Sequence, residues 1–139
     1  MQKISLDTNV LVSGLIQRNF PYLIISELFI EDKATLCISD ELLSEYHEVL
    51  SPKKFAKYLD FVNAAEKILA TIETKGVKFN PKTKISLISD QDDNRLLELA
   101  EESKANYLIT GNSNDFTMGK YKKTKIVMPK EYWEKYQPK

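Results

Sequence analysis

Lys3-Ile4-Ser5-Leu6-Asp7-Thr8-Asn9-Val10-Leu11 holds a strand, a stop and a helix start in succession. Lys3 to Leu6 reads as a short buried strand. Asp7, Thr8 and Asn9 are all residues that cap helix N-termini, because their side-chain oxygens accept from backbone N–H groups left unpaired there. Val10, Leu11, Leu15 and Ile16 continue with helical spacing, and Gly14 weakens that helix. A strand that runs straight into a capped helix is the opening of a βα unit.

The same punctuation recurs along the chain. Phe20-Pro21 breaks the first helix, and Pro21 suits the first turn of a second, Tyr22 to Ile30. Thr35 to Ile38 is strand-like. Ser39-Asp40 caps a helix from Glu41 to Leu50, which Ser51-Pro52 ends. Helical pattern resumes around Lys53 to Tyr58, and a longer helix spans about Asp60 to Thr74 with Gly76 as its C-cap. Val77 to Phe79 reads as a strand and Asn80-Pro81 as a turn. A strong helix, Asp93 to Ser103, follows Ser89 to Asp92. Tyr107 to Thr110 is a strand, Gly111 to Asp115 a turn-rich loop, Lys125 to Met128 a last strand, and Pro129 begins a short terminal helix. Strands alternating with helices predict an α/β fold with a mostly parallel sheet and helices on both faces. No linker, repeat or low-complexity stretch divides residues 1–139, which suits a single domain.

Bulk composition bounds the function. Hydrophobic residues make up 42% and charged residues 29%, with 20 basic against 20 acidic side chains and a formal net charge of zero. That balance argues against wholesale electrostatic capture of nucleic acid, although Lys120, Lys122, Lys123 and Lys125 cluster late in the chain and Lys78, Lys82 and Lys84 more loosely. Cys37 is the only cysteine and lies in an apolar run, so it reads as a small buried hydrophobe in a reducing compartment. No signal peptide precedes the first strand and no apolar run approaches a membrane span, so a cytoplasmic protein is expected.

In open α/β sheets ligands bind beyond the carboxyl ends of the strands. Acidic and amide side chains gather at those positions: Asp7, the helix carrying Glu41, Glu45 and Glu48, the run Asp90-Gln91-Asp92-Asp93-Asn94, and Asn112 to Asp115. Helical phase sorts them. With Leu42, Leu43, Tyr46, Val49 and Leu50 as the apolar face, Glu45 falls about 90° from its centre, and Glu41 and Glu48 about 130° and 150° away. Asp93 projects near the middle of the stripe formed by Leu96, Leu97, Leu99 and Ala100, and Asp90 and Asp92 would lie on its flanks if the helix extended back that far. A carboxylate at a helix start can simply be a cap. Asp7, Glu45 and Asp93 together, all aimed inward, would repel one another unless a cation sat among them. An all-oxygen set suits Mg²⁺ or Mn²⁺. Zinc lacks its Cys/His ligands, since His47, the one histidine, lies on the solvent side of its helix.

Four segments, in this order and spacing, resemble the PIN-domain ribonucleases, in particular the group related to VapC toxins: Leu6 to Ser13, Ser39 to Tyr46, Asp90 to Asn94 and Tyr107 to Asn112. The resemblance covers nearly the whole chain. It implies a PIN-like three-layer α/β/α sandwich with a central, mostly parallel sheet of four to five strands. It also implies Mg²⁺ or Mn²⁺ held by Asp7, Glu45 and Asp93, with Asn112 completing the catalytic set where the family often carries a fourth acid. Asp90 and Asp115 are secondary candidates, and Thr8, Asn9 and Ser39 resemble the small polar residues lining such sites. The activity implied is metal-dependent hydrolysis of phosphodiester bonds in single-stranded or structured RNA, as the toxin of a toxin–antitoxin pair. Arg95, Lys120, Lys122 and Lys123 are candidates for holding the RNA backbone. Tyr121 either stacks on an unpaired base or packs near the last strand. Implied partners are a cognate antitoxin and a second copy of the chain. Two other classes compete. A receiver-type phosphoacceptor would need an acidic pair near the first strand, where Ser5 and Leu6 stand instead. A PIN-fold module that binds RNA or protein with little or no turnover would use the acids only as caps and to hold its partner, and the neutral Asn112 leaves room for it.

Overall fold

Ile4, Ser5 and Leu6 are at most 1% exposed in the computed structural model. Successive strand residues point to opposite faces, so β1 (Lys3–Leu6) is covered on both sides. The structure describes residues 1–17, 19–51, 57, 59–112 and 114–138. After β1 come α1 (Thr8–Ile16), α2 (Phe20–Leu23), β2 (Thr35–Ile38), α3 (Asp40–Val49), α4 (Leu59–Lys75), β3 (Val77–Lys78), α5 (Gln91–Ser103), β4 (Tyr107–Ile109), β5 (Lys120–Tyr121), β6 (Thr124–Val127) and α6 (Pro129–Glu131). The helical segment expected around Lys53 to Tyr58 falls, apart from Lys57, outside the described residues.

The sheet order is β3-β2-β1-β4-β6-β5. Every pairing is parallel except β5 with β6. α5 packs on β1, β2 and β4, and α4 on β2. With both faces of the central strands buried, the layers are helix, sheet, helix, as the alternating pattern predicts. The sheet has six strands rather than four to five. The added one is β5, two residues that turn back onto β6 through Lys122 and Lys123. Lys122 takes a positive φ of 52° there, a conformation usually left to Gly or Asn, so the sequence carries no hairpin signal.

Two more differences have physical causes. The second helix is not regular throughout: α2 passes into a wider π-helical turn, Ile24–Phe29, where Ile30 N–H reaches back to Ile25 C=O at 3.0 Å. The stretch from Phe79 to Asp90 has no helix and only a hydrogen bond from Phe79 N–H to Ile38 C=O to extend β3. Twelve irregular residues need an anchor, and α5 supplies it. Buried Asn94 accepts from Ile88 N–H at 2.9 Å and donates to Ile88 C=O at 2.6 Å, and buried Glu98 accepts from Ile85 N–H at 2.9 Å. These two side chains hold the strap that ends at Asp90.

The register carries the consequence for function. Ile4 pairs with Tyr107, Ser5 with Leu108 and Leu6 with Ile109, which leaves Asp7 and Thr110 side by side one step beyond the strands. Among the described residues no helix is long and apolar enough to cross a membrane. Cys37 is fully buried, as its apolar setting predicts.

Gly14 is explained by packing rather than by flexibility. A Cβ there would lie 2.6 Å from Ile25 Cδ1 and 3.2 Å from the Pro21 carbonyl carbon. Alanine is the better helix former by about 1 kcal/mol, yet overpacking of this kind costs about 1–3 kcal/mol. Gly14→Ala is therefore expected to lower the melting temperature by about 3 °C, measured by differential scanning calorimetry, rather than raise it.

Candidate functional site

Asp7 ends β1, caps α1 and keeps only 6% of its surface exposed. Its backbone N–H extends the ladder to Ile109 C=O at 3.0 Å. Its Oδ2 accepts from Thr110 Oγ1 at 2.7 Å, and its Oδ1 accepts weakly from Asn9 N–H at 3.5 Å. Burial pushes the Asp7 carboxyl above the ordinary range, against these hydrogen bonds.

Glu45 reaches the same region from α3, half-buried at the boundary that its phase predicted. Thr8 Oγ1 donates to its Oε2. The next residue, Tyr46, is fully buried and donates its hydroxyl to Leu6 C=O at 2.5 Å. That bond ties α3 to the backbone just before Asp7. Burial raises the Glu45 carboxyl, and the charges of Asp92 and Asp7 raise it further.

Asp93 enters from the first turn of α5, 7% exposed. Its carboxyl is pushed up to about 7, first by burial, then by a hydrogen bond shared with Asp115 and by the charges of Asp90, Asp7 and Asp115. Asn112 sits between two of these acids. Its Nδ2 donates to Asp115 Oδ2 at 2.9 Å and to Asp93 Oδ2 at 3.3 Å, while its Oδ1 accepts from Asp115 N–H at 3.3 Å. A fourth carboxylate at position 112 could accept but not donate, so the amide joins two acids that an acid would repel.

Among the described residues the tightest set of candidate metal donors is Asp90, Asp93 and Asp115, whose carboxylate oxygens lie within 4.8 Å of one another. The expected triad of Asp7, Glu45 and Asp93 is not that set. Asp90 and Asp115 are the acids grouped with Asp93. Asp7 links the two groups, since its charge raises both Glu45 and Asp93. The donors are carboxylate oxygens with one amide oxygen nearby, and burial, then neighbouring charge, lifts the proton affinity of Asp7, Glu45 and Asp93. Both features fit a hard divalent cation.

The remaining candidates divide. Thr8 lies in the site, on Glu45. Asn9 meets Asp7 only through its backbone, and its side chain is exposed. Ser39 is spent on capping α3, accepting from Leu42 N–H at 3.1 Å. Arg95 is close: its Nη1 donates to Asp92 Oδ1 at 2.9 Å, and it lines a narrow cleft between α3 and α5 with Glu41, Leu42, Glu45, Asp92 and Leu96. The lysines are elsewhere. Lys122 pairs with Glu101, and Lys122 and Lys123 line a pocket with Lys104 and Glu101 at the far end of α5. Glu101 is eight residues past Asp93, about 12 Å along the helix axis. Lys120 is exposed at the start of β5. Tyr121 is half-buried and its hydroxyl donates to Glu101 at 3.2 Å, so it packs rather than standing free. His47 is exposed, 2.6 Å from Glu73. Thr110 and Asn94 escaped the residue-by-residue reading. Thr110 had a signal, a hydroxyl at the end of the strand beside β1. Asn94 had another, a polar residue on an apolar helix stripe.

A family model described as PIN domain matches residues 3–114. An uncharacterised protein of Methanocaldococcus jannaschii is 35% identical, over 97% of this chain and 92% of its own length. A chain from the crystal structure of VapBC2 from Rickettsia felis, bound to a DNA fragment from their promoter, aligns with a TM-score of 0.62 and 17% identity, covering 91% of this chain and 98% of that one. At that identity the likeness is one of fold.

Raised acids make stability depend on pH in a definite direction. The Asp93 carboxyl has a higher pKa folded, about 7, than its ordinary 3.8. Its contribution to stability is thus complete below about pH 4 and is lost as pH rises through about 7. Without divalent ions, the melting temperature is expected to fall by several degrees between pH 5 and pH 8, and Asp93→Asn to flatten that fall, as followed by circular dichroism.

Proposed function

The chain belongs to the PIN domain family, and on that premise we propose that it is a metal-dependent endoribonuclease, the toxin of a toxin–antitoxin pair. The observation that carries the reading is the gathering of Asp7, Glu45, Asp90, Asp93 and Asp115, each with carboxylate oxygens near the carboxyl end of a parallel sheet. Asp7 caps α1 and Asp90 caps α5, but capping leaves the burial of Glu45 and Asp93, both raised with Asp7 above the ordinary carboxylate range, without a purpose.

Asp7, Glu45 and Asp93, with Asp90 and Asp115, are the residues that would hold Mg²⁺ or Mn²⁺. Bound there, the ion supplies Lewis acidity toward a phosphodiester and a lowered pKa for the attacking water. The protein's part is to aim the donors and restrain their repulsion. Thr110 takes Oδ2 of Asp7, whose Oδ1 accepts only a long bond from Asn9 N–H, and Thr8 takes Oε2 of Glu45, so both carboxylates are oriented while keeping acceptor capacity for a cation. Asn112 fixes Asp115 against Asp93. Tyr46 sets the distance between α3 and β1, and with it that between Glu45 and Asp7. Asn94 and Glu98 hold the strap that presents Asp90. Preorganised donors of this kind lower the barrier without reorganising during the reaction.

The solved neighbour named VapBC2 supports the toxin reading and, with it, a cognate antitoxin as partner. The second reading, a PIN-fold binding module with little turnover, draws on Asn112 alone. Asp115 weakens it, because its carboxylate stands beside the amide that replaces the acid.

Purified protein with millimolar Mn²⁺ is expected to cut single-stranded RNA. Asp7→Asn should lower the rate on the order of 100-fold or more. Millimolar Mn²⁺ should raise the melting temperature of the wild type, and raise it less in Asp93→Asn. Full activity in Asp7→Asn would sink the assignment, and an unchanged melting temperature with no cleavage would establish the binding module instead. Tyr46→Phe is expected to lower the cleavage rate while the protein remains folded, since only the bond to Leu6 is lost.

A further inference from the structure

The acid cluster has a problem that a divalent ion solves only in part. Glu41, Glu45 and Asp92 add negative charge to the cleft beside it, and a polynucleotide brings one more at each phosphate. Among the described residues no lysine lines that cleft. The basic residues expected to meet the backbone lie at the far end of α5, where Lys122 is engaged by Glu101. Arg95 is the cation that faces Glu45, two residues past Asp93 on the same helix.

Its setting suits a phosphate. The side chain is half exposed, and among the described residues it makes a single hydrogen bond, to Asp92, from a fork that carries five N–H donors. An exposed i,i+3 pair of this kind is weak and readily exchanged. Asp92 therefore holds the guanidinium in place without consuming it. Leu42 and Leu96 form the apolar part of the cleft wall, which lowers the local dielectric and strengthens a charge-assisted bond formed there. A planar fork binds two phosphate oxygens at once, which an ammonium group cannot.

We propose that Arg95 is the specificity-determining residue of this site, binding the phosphate that flanks the scissile bond of a single strand entering between α3 and α5. The inference rests on the nuclease reading for the identity of the strand, and it predicts a division of labour. The acids govern turnover. Arg95 governs capture of a substrate that has a neighbouring phosphate.

The experiment compares wild type, Arg95→Ala, Arg95→Lys and Lys122→Ala on two substrates with Mn²⁺: a labelled single-stranded oligoribonucleotide, and bis(p-nitrophenyl) phosphate, which has no flanking phosphate. Arg95→Ala is expected to raise KM for the oligonucleotide about tenfold, with kcat within about threefold and the small diester hydrolysed at the wild-type rate. The salt dependence of binding should lose about one unit of slope. Arg95→Lys should recover the slope but only part of the affinity. Lys122→Ala should leave KM unchanged. An unaltered KM and slope in Arg95→Ala would overturn the inference, as would an equal loss on both substrates, which would mark a disturbed acid cluster. The two readings fail separately. If wild type binds the oligonucleotide without cutting it and Arg95→Ala still loses binding and slope, the nuclease reading falls and the assignment of Arg95 stands. If wild type cuts and Arg95→Ala cuts with the same KM, only the assignment of Arg95 falls.

Discussion

One hydroxyl, on Thr110, donates across 2.7 Å to a carboxylate that is 94% hidden from water, since Asp7 keeps 6% of its surface. Burying a carboxylate is costly without compensation. The arrangement around Asp7 can be read as the set of conditions that make its position tolerable. β4 must lie beside β1 in a register that brings Thr110 level with Asp7, and Thr110 N–H must reach Val127 C=O at 2.9 Å to stay there. α1 must start at Asp7, so that a helix N-terminus points toward the charge. Neither device removes the penalty, as the raised Asp7 carboxyl shows. The remainder is available to a cation.

The neighbouring acids are arranged by different means. Glu45 is set by a helix face and a hydroxyl from the adjoining strand–helix turn. Asp93 is set by the first turn of α5, and Asp90 by a strap that Asn94 and Glu98 bond to the same helix. Asp115 comes from a loop, and Asn112 fastens it to Asp93. α5 thus serves three purposes: it fills the core with Leu96, Leu97 and Leu99, presents Asp93 and anchors the segment that presents Asp90. Changes on its buried side should be felt at the site, because the acids share one rigid element.

The two ends of α5 differ in character. Its N-terminal end carries Asp90, Asp92 and Asp93, with Arg95 as the cation beside them. Its C-terminal end carries Lys104 near Lys122 and Lys123. The formal net charge of zero therefore conceals a separation along one helix. Helix dipoles favour acids at the start and bases at the end, so part of this separation is ordinary helix stabilisation. What the dipole does not explain is an arginine placed among acids in the first turns, beside a glutamate from another helix.

Much of the architecture was legible in the chain itself, because the signals were local. Alternating strands and capped helices depend on neighbours one to four residues apart, and β1, α1, β2, α3, α5 and β4 lie close to where capping and periodicity predict them. The half-buried edge position of Glu45 and the buried position of Asp93 followed from helical phase for the same reason. What only the tertiary structure decided depends on partners far apart in sequence. Thr110 meets Asp7 across 103 residues and Thr8 meets Glu45 across 37. Lys122 and Lys123, candidates for holding an RNA backbone, were carried to the opposite end of α5 by a hairpin whose turn has no recognisable residue pair. Asn112 looks like a lost charge in sequence. In space it is the donor that lets Asp93 and Asp115 stand together, because only folding brings the two acids close enough to need one.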